Sequence, residues 1–418
     1  MDKNIDRASG GGSIHVTPGI AFQEEVSGSE TRISNIGQER SKRRSLKLAQ
    51  HSNMILPKIN PKKNPDRFVP CDYSVTPNTK YINTLLTVWK LLRSGSSENN
   101  GWPRFIGFVI KLYQTEKKQT AMAYLSPIQT PIAEYPTIVN LFETSRKLAQ
   151  NANMIYTHII LDVGAAIKAY HVLWNDTDYW NDIIIHLGDF HAMMSFFSII
   201  GTFISGSGFE EIVYQSGLCT SGSINTLLSG KHYNRCWCVH EIISDALERL
   251  FIKQYLQDNE ELIRNIQNLK GMDDIKETIF NSDVFTFLIE KYQQLKKEGL
   301  EGELGKTAQY WLKYTEMVFK LHQFHFAINT NNLPLRIDAW EYFLPLCFAT
   351  NKIHYARYGT YYIQQLKNLD SRHPGAFEEI CEMVSFKGNK TGIGQAVDLA
   401  GEQTYMKNAK TAGFLLCF

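Results

Sequence analysis

Apolar and polar positions along the chain alternate in two distinct ways. Between Ile159 and His191, the run Ile159-Ile160-Leu161 closes on Asp162, an amphipathic stretch follows, and Ile183-Ile184-Ile185 leads into Leu187-Gly188-Asp189-Phe190-His191. Short continuous apolar runs bounded by polar residues predict buried strands, and the stretch between them predicts a helix. Upstream, Ser13 to Thr17 and Ile20 to Gln23 are two β-like runs joined by Pro18-Gly19, a pair that predicts a hairpin. Ile82 to Leu92 and the stretch from Phe105 to Tyr113 carry apolar residues at helical spacing; Thr120 to Leu125 reads as a strand and Thr137 to Ala149 as a helix.

Beyond His191 the period changes. From Phe196 to about Tyr362 nearly every segment is helical in pattern, with Glu241 to Gln257, Val284 to Lys297 and Ala308 to His325 as its main helices. The tail from Gln395 to Ala409 is again helical in pattern, and Asp398 and Glu402, four positions apart, fall on one face. The pattern therefore predicts an α/β core carrying a large helical insertion, with a site at the carboxyl edge of the sheet. The expected divisions are residues 1–67, an N-terminal hairpin and polar basic linker; 68–195, the α/β core; 196–372, the helical insertion; and 373–418, a C-terminal helix returning to the core. No internal repeat is evident.

Composition narrows the possibilities. The 418 residues are 43% hydrophobic and 12% aromatic, enough for real cores, and the net charge of +2 gives no whole-protein field that would draw the chain to DNA. Any nucleic-acid surface must be local. Seven cysteines without regular spacing point to reduced thiols rather than a disulfide scaffold. Met1 to Gly12 is polar and glycine-rich, unlike a secretory leader, so a nuclear or cytoplasmic location is expected. The apolar stretch Ala192 to Ile204 is too short for a membrane span of roughly 20 residues, and no membrane partner is expected.

Several residues could carry chemistry. A carboxylate at the tip of a buried strand is costly to desolvate, so Asp162 is either compensated by a divalent cation or caps the following helix. Glu402 is a further ligand candidate or part of a solvated helix face, Asp189 is a third acid near a strand end, and His191 is a site histidine or a satisfied core one. Lys42-Arg43-Arg44, with Lys58, Lys62 and Lys63 among prolines, forms a phosphate-contacting arm, an import tag or a solvated linker. His232, Cys236, Cys238 and His240 all suit zinc, but their spacing matches no usual structural zinc pattern, and zinc is not expected. Gly388 to Gly394 lacks the features of a nucleotide loop and reads as a turn.

Ordered blocks across almost the whole chain carry a family resemblance. They are Asn4-Ile5-Asp6-Arg7 before the glycine run; Ser13-Ile14-His15 and Gly19-Ile20; Leu161-Asp162 with Ala166, Lys168 and Ala169; Leu187 to His191; Ser229 to Arg235; His354 to Tyr358; and Asp398 to Gln403. Together they resemble transposon-derived, mostly uncharacterised animal and fungal proteins with an RNase H-like transposase core, of the DDE and hAT type. The resemblance implies an RNase H-like mixed sheet with an all-helical insertion and three acids: Asp6 first, Asp162 second and Glu402 third. It implies ancestral Mg²⁺- or Mn²⁺-dependent DNA strand cleavage and transfer, with Asp162 and Glu402 as metal ligands; Asp189 is a further candidate ligand from its place near a strand end, not from the resemblance. DNA at element ends would be the partner, contacted by Lys42, Arg43, Arg44, His191, Lys231 and Arg235. Three acids from separate elements would suffice for two magnesium ions. Asp2 and Asp6 stand at the start of the chain without upstream residues to form a strand, and Phe414 to Phe418 replaces the expected glycine-rich basic segment. A partial or inactive copy is therefore expected; the alternative is a non-catalytic DNA- or protein-binding module.

Overall fold

The computed structural model describes residues 19–23, 59–63, 77–94, 104, 107–108, 120–125, 128, 130–256, 261, 264, 283–383, 385–387 and 394–403. The RNase H-like mixed sheet is not found. The protein is mostly helical, and its strands among the described residues form three separate two-stranded pairs. The reason lies in the length of the strand segments: none exceeds five residues, each has one partner strand, and the chain between them is helix.

Two compact units divide the chain. The first comprises 1–72, 116–192 and 352–418, and the second 73–115 and 193–351. In the first unit, β1 (Ile20–Gln23) pairs antiparallel with β2 (Ala121–Tyr124). Ser13 to Thr17, the other arm of the expected hairpin, lies outside the described residues. After α2 (Tyr135–Asn151), which opens with a proline in its first turn where no amide partner is lost, β3 (Thr157–Leu161) runs parallel to β4 (Ile183–Leu187). Parallel neighbours need a crossover, and α3 (Val163–Asn175) supplies it. Every residue of β4 is buried, as expected for a strand covered on both faces. α3 contributes Tyr170, His171 and Trp174 to an aromatic cluster with Tyr358 and Tyr361. His171 stands between the hydroxyls of Tyr135 at 3.0 Å and Tyr358 at 3.1 Å.

The rest of the first unit follows Lys352. A π-helical turn, Tyr355–Gly359, continues into α11 (Thr360–Lys367), and the short helices α12 (Leu369–Arg372) and α13 (Ala376–Met383) follow. β5 (Ser385–Phe386) and β6 (Gln395–Ala396) then pair antiparallel and lead into α14 (Val397–Gly401). The expected helix from Gln395 thus begins two residues late, and residues beyond 403 lie outside those described, as do 388–393. The start of β2 meets the end of β5, because the Thr120 N–H donates to the Lys387 carbonyl and the Lys387 N–H to Thr120 Oγ1, both at 3.0 Å. Phe386, Val397 and Ala400 form a small core here with Phe22 and Met122. This packing fixes α14, which also contacts β3.

The second unit is helical throughout its described residues. It contains α1 (Pro77–Ser94), the part of α4 (Asp189–Ile204) beyond Ala192, α5 (Phe209–Gln215), α6 (Ser221–Leu228), α7 (Tyr233–Tyr255), α8 (Asp283–Glu301), α9 (Lys306–Asn329) and α10 (Leu333–Ala349). Of the expected helix from Phe105 to Tyr113, only residues 107–108 are described, and they are helical. The core includes Trp89, Phe196, Phe197, Phe324, Trp340 and Phe343, and the Phe196 and Phe343 rings stack at 4.2 Å. No single helix among the described residues is long and apolar enough to cross a membrane.

Close backbone approach sets one packing requirement in this unit. A Cβ on Gly201 would lie 2.0 Å from the Leu228 carbonyl oxygen, so α4 can pass the end of α6 only with hydrogen at that position. Because the opposing atoms are backbone, they cannot rotate away. Gly201→Ala is expected to lower the unfolding free energy by about 1–3 kcal/mol, measured by urea titration. A variant as stable as the wild type would show that the two helices separate without cost.

Candidate functional site: a carboxylate and histidine cluster

The residues that gather in the first unit come from four different elements. Asp162 is the N-cap of α3: its Oδ1 accepts the Ala165 N–H at 2.8 Å, satisfying one of the amides a helix start leaves unpaired. The cap reading of this residue is therefore realised. Its second oxygen has no hydrogen-bond partner among the described residues.

β4 ends at Leu187, and Gly188 follows with its N–H donating to the Leu161 carbonyl at 2.8 Å. The carboxylate of Asp398, from α14, lies directly over this glycine. A Cβ at position 188 would approach Asp398 Oδ2 to 2.4 Å, and the absence of a side chain is what lets the acid come so near. Asp398 accepts the Phe190 N–H at 3.1 Å and the His191 N–H at 3.2 Å. An acid more than two hundred residues away thus caps the start of α4, where exposed amides and the helix dipole favour negative charge. The same carboxylate accepts from His191 Nδ1 at 3.0 Å. That bond orients the ring and leaves Nε2 without a partner among the described residues.

Burial alone would lower the His191 pKa. The hydrogen bond and charge of Asp398 oppose this, and with the charges of Asp162 and Glu402 they raise it above its ordinary value. Asp162 and Glu402, far apart in sequence, therefore act on one imidazole. The His191 side chain is 30% exposed, so the ring is accessible rather than a sealed core histidine. Glu402 directly follows α14, is half-buried, and has no hydrogen-bond or ion-pair partner among the described residues.

The other expected residues are distributed differently. Asp189 opens α4 and is buried, with 5% exposure. Asp6, Lys42, Arg43 and Arg44 lie outside the described residues. Lys231 and Arg235 are exposed and belong to the second unit. Of the four residues weighed for zinc, His232 is exposed, whereas His240 is fully buried with its ring between Phe197 and Phe209 and Nδ1 on the Tyr314 hydroxyl at 3.0 Å. Burial pushes the Cys236 thiol up to about 12. Among the described residues, no three His, Cys, Asp or Glu side chains stand where they could hold a metal ion by themselves.

Asp398 shares a helix face with Glu402 but is not among the candidate site residues that the sequence singles out. Its pairing with Gly188 and His191 had no local signal beyond that spacing. In class, this is a mostly helical two-unit protein in which carboxylates and one histidine gather at the carboxyl ends of a parallel strand pair. The chain belongs to the family described as Domain of unknown function (DUF8702), which matches residues 101–416 and so spans the whole cluster. Comparison with curated proteins and with solved structures finds no match.

Proposed function

We propose that this is a transposase-derived protein whose Asp162, His191 and Glu402 constitute a phosphodiester-handling site, working ancestrally with Mg²⁺ or Mn²⁺ on DNA. The observation that supports this reading most is the action of Asp162, Asp398 and Glu402 on the single imidazole of His191. Even with a protonated His191, three carboxylates around one cation leave the cluster negative, so a DNA phosphate can approach only when further positive charge is supplied.

The donor set suits a hard cation. Magnesium is commonly bound through one or two carboxylates, with water and substrate phosphate completing the shell, so a full protein cage is not required. Asp162, through its open oxygen, and Glu402 would hold it; when bound, the ion supplies charge neutralisation at the phosphate and at the attacking and leaving oxygens. The remaining work belongs to the protein. Asp398 holds the His191 ring by Nδ1, and a protonated ring would offer its Nε2 proton to a phosphate oxygen. The α4 start and the β3–β4 ends fix these groups on regular elements.

The test measures Mn²⁺ binding by electron paramagnetic resonance and metal-dependent cleavage of duplex DNA for the wild type, Asp162→Asn and Glu402→Gln. Each substitution is expected to weaken cation binding or turnover by about 10²-fold. A wild type that neither binds Mn²⁺ nor cuts DNA, or variants that match it in both, would remove these residues from the reading.

A further inference from the structure

Two histidines tie the parallel strands of the first unit to each other. His158 of β3 lies beside Ile184 of β4 in the register, and His186 of β4 beside Ile160 of β3, so the two are diagonal neighbours. Their rings stack with centres 5.2 Å apart, and His158 Nδ1 lies 2.9 Å from His186 Nε2. Each ring has a further partner at its other nitrogen. His158 Nε2 is 3.4 Å from the Glu379 carboxylate of α13, and His186 Nδ1 is 3.5 Å from the Tyr362 hydroxyl of α11. The line Tyr362, His186, His158, Glu379 thus runs from a fully buried hydroxyl to a carboxylate whose side chain is 22% exposed.

A contact of this length between two ring nitrogens holds one hydrogen. With both rings neutral, Tyr362 donates to His186 Nδ1, His186 Nε2–H to His158 Nδ1 and His158 Nε2–H to Glu379, so every ring nitrogen is matched. One added proton is also accommodated. The middle bond reverses, His158 donates from both nitrogens with its charge against Glu379, and His186 donates to the Tyr362 oxygen. A second added proton would set two N–H groups and two like charges against each other inside the protein, and the contact must open. Other charges on the elements packed against these strands are engaged elsewhere: α2 turns Arg146 to Asp182, α3 holds Lys168 over the Tyr135 ring and His171 between Tyr135 and Tyr358, and α14 directs Asp398 to His191. His373, between α12 and α13, is held at the Asn181 carbonyl and feels the charge of His158.

We propose that His158 and His186 form a proton-sensing joint: closed, it ties β3 to β4 with at most one added proton, and a second proton opens it. Two separated imidazoles bind two protons where the closed pair binds one, so closure is favoured at neutral pH and lost as the pH falls. The strands it joins are those that lead into Asp162 and Gly188. The joint needs only β3, β4, α11 and α13, and it stands or falls separately from the DNA reading.

Backbone amide exchange of the full chain, read by mass spectrometry between about pH 7 and pH 4.5 and corrected for intrinsic exchange, tests it. Protection of peptides spanning β3 and β4 is expected to fall by about 10-fold as the pH drops, the range for one hydrogen bond, while a peptide spanning β2 keeps its protection. His158→Gln, whose amide takes up no proton, should show no such fall; His171 and His373 are unchanged in that variant, so a fall they caused would persist in it. Glu379→Gln, at a position only half-buried, removes the charge that favours proton uptake by the pair and should move the fall to lower pH. Protection independent of pH, a fall shared by β2, an equal fall in His158→Gln, or an unshifted fall in Glu379→Gln would each overturn the proposal.

Discussion

Glu248→Gln is expected to lower the unfolding free energy by about 3–5 kcal/mol, read from urea titration with an unchanged slope. The amide keeps the shape of the carboxylate and its hydrogen bond with Tyr292, but it removes the negative charge that, among the described residues, Lys90 and Lys296 both touch. The two ammonium groups would then lose the carboxylate they share, although the charge of Glu316 still acts on Lys296. The present arrangement shows how strongly they act on the acid: burial would raise the Glu248 pKa, yet the lysines bring it down to about 2. Replacing all three charged residues together by methionine should restore much of the loss, because apolar side chains of similar volume carry no desolvation cost. If Glu248→Gln alone proved neutral, the carboxylate shared by Lys90 and Lys296 would not contribute to the stability of this unit.

Acidification is expected to destabilise the second unit steeply below about pH 6.5. His240 and His322 are buried there and His325 is half-buried, and desolvation lowers the pKa of His240 to about 3 and of His325 to about 4, with His322 held well below its ordinary value by burial and by Lys90, His325 and Arg93. The folded unit keeps these rings neutral while the unfolded chain protonates them from about pH 6.5 downward. The folded pKa is depressed, so stability is intact above the unfolded pKa and falls as pH drops towards the folded values. Each histidine contributes about 1.4 kcal/mol per pH unit in that window. Below about pH 4.5, protonation of Glu248 in the unfolded chain adds to the loss as the pH falls towards 2. Stability measured by urea titration between pH 7 and 5, with proton uptake on unfolding, checks this; uptake of well under one proton per molecule at pH 5.5 would refute it. His240→Phe, which preserves the stacking between Phe197 and Phe209, should reduce the uptake by about one proton.

Much of the local structure was legible because its causes are local. The helical spacing of Ile82 to Leu92, Thr137 to Ala149 and Ala308 to His325 reports which residues share a face, and all three stretches lie within observed helices. The runs ending at Leu161 and Leu187 formed the expected strands, and their order around α3 agrees with a parallel pair. The extended mixed sheet did not follow. A strand pattern records alternation and burial but not how many partners the strand will have, so runs of four or five residues resemble pieces of a larger sheet while remaining isolated pairs.

The cluster was partly legible for the same reason. Asp162 stood out as a charge ending an apolar run, and its cap on α3 is a local interaction that spacing anticipates. The shared face of Asp398 and Glu402 was visible too. What spacing could not show was that Asp398 would reach the start of α4, or that His191 would be oriented by it.

The chain by itself determined the helices, the two short apolar strands and the cap that Asp162 places on its own helix, since these arise among residues a few positions apart. Tertiary packing alone decided that β1 pairs with β2, that Asp398 sits against Gly188 and His191, and that Lys90 and Lys296 share Glu248. Those contacts join residues up to some two hundred positions apart. Their formation depends on which buried faces and charges the whole fold brings together, and no local propensity encodes that.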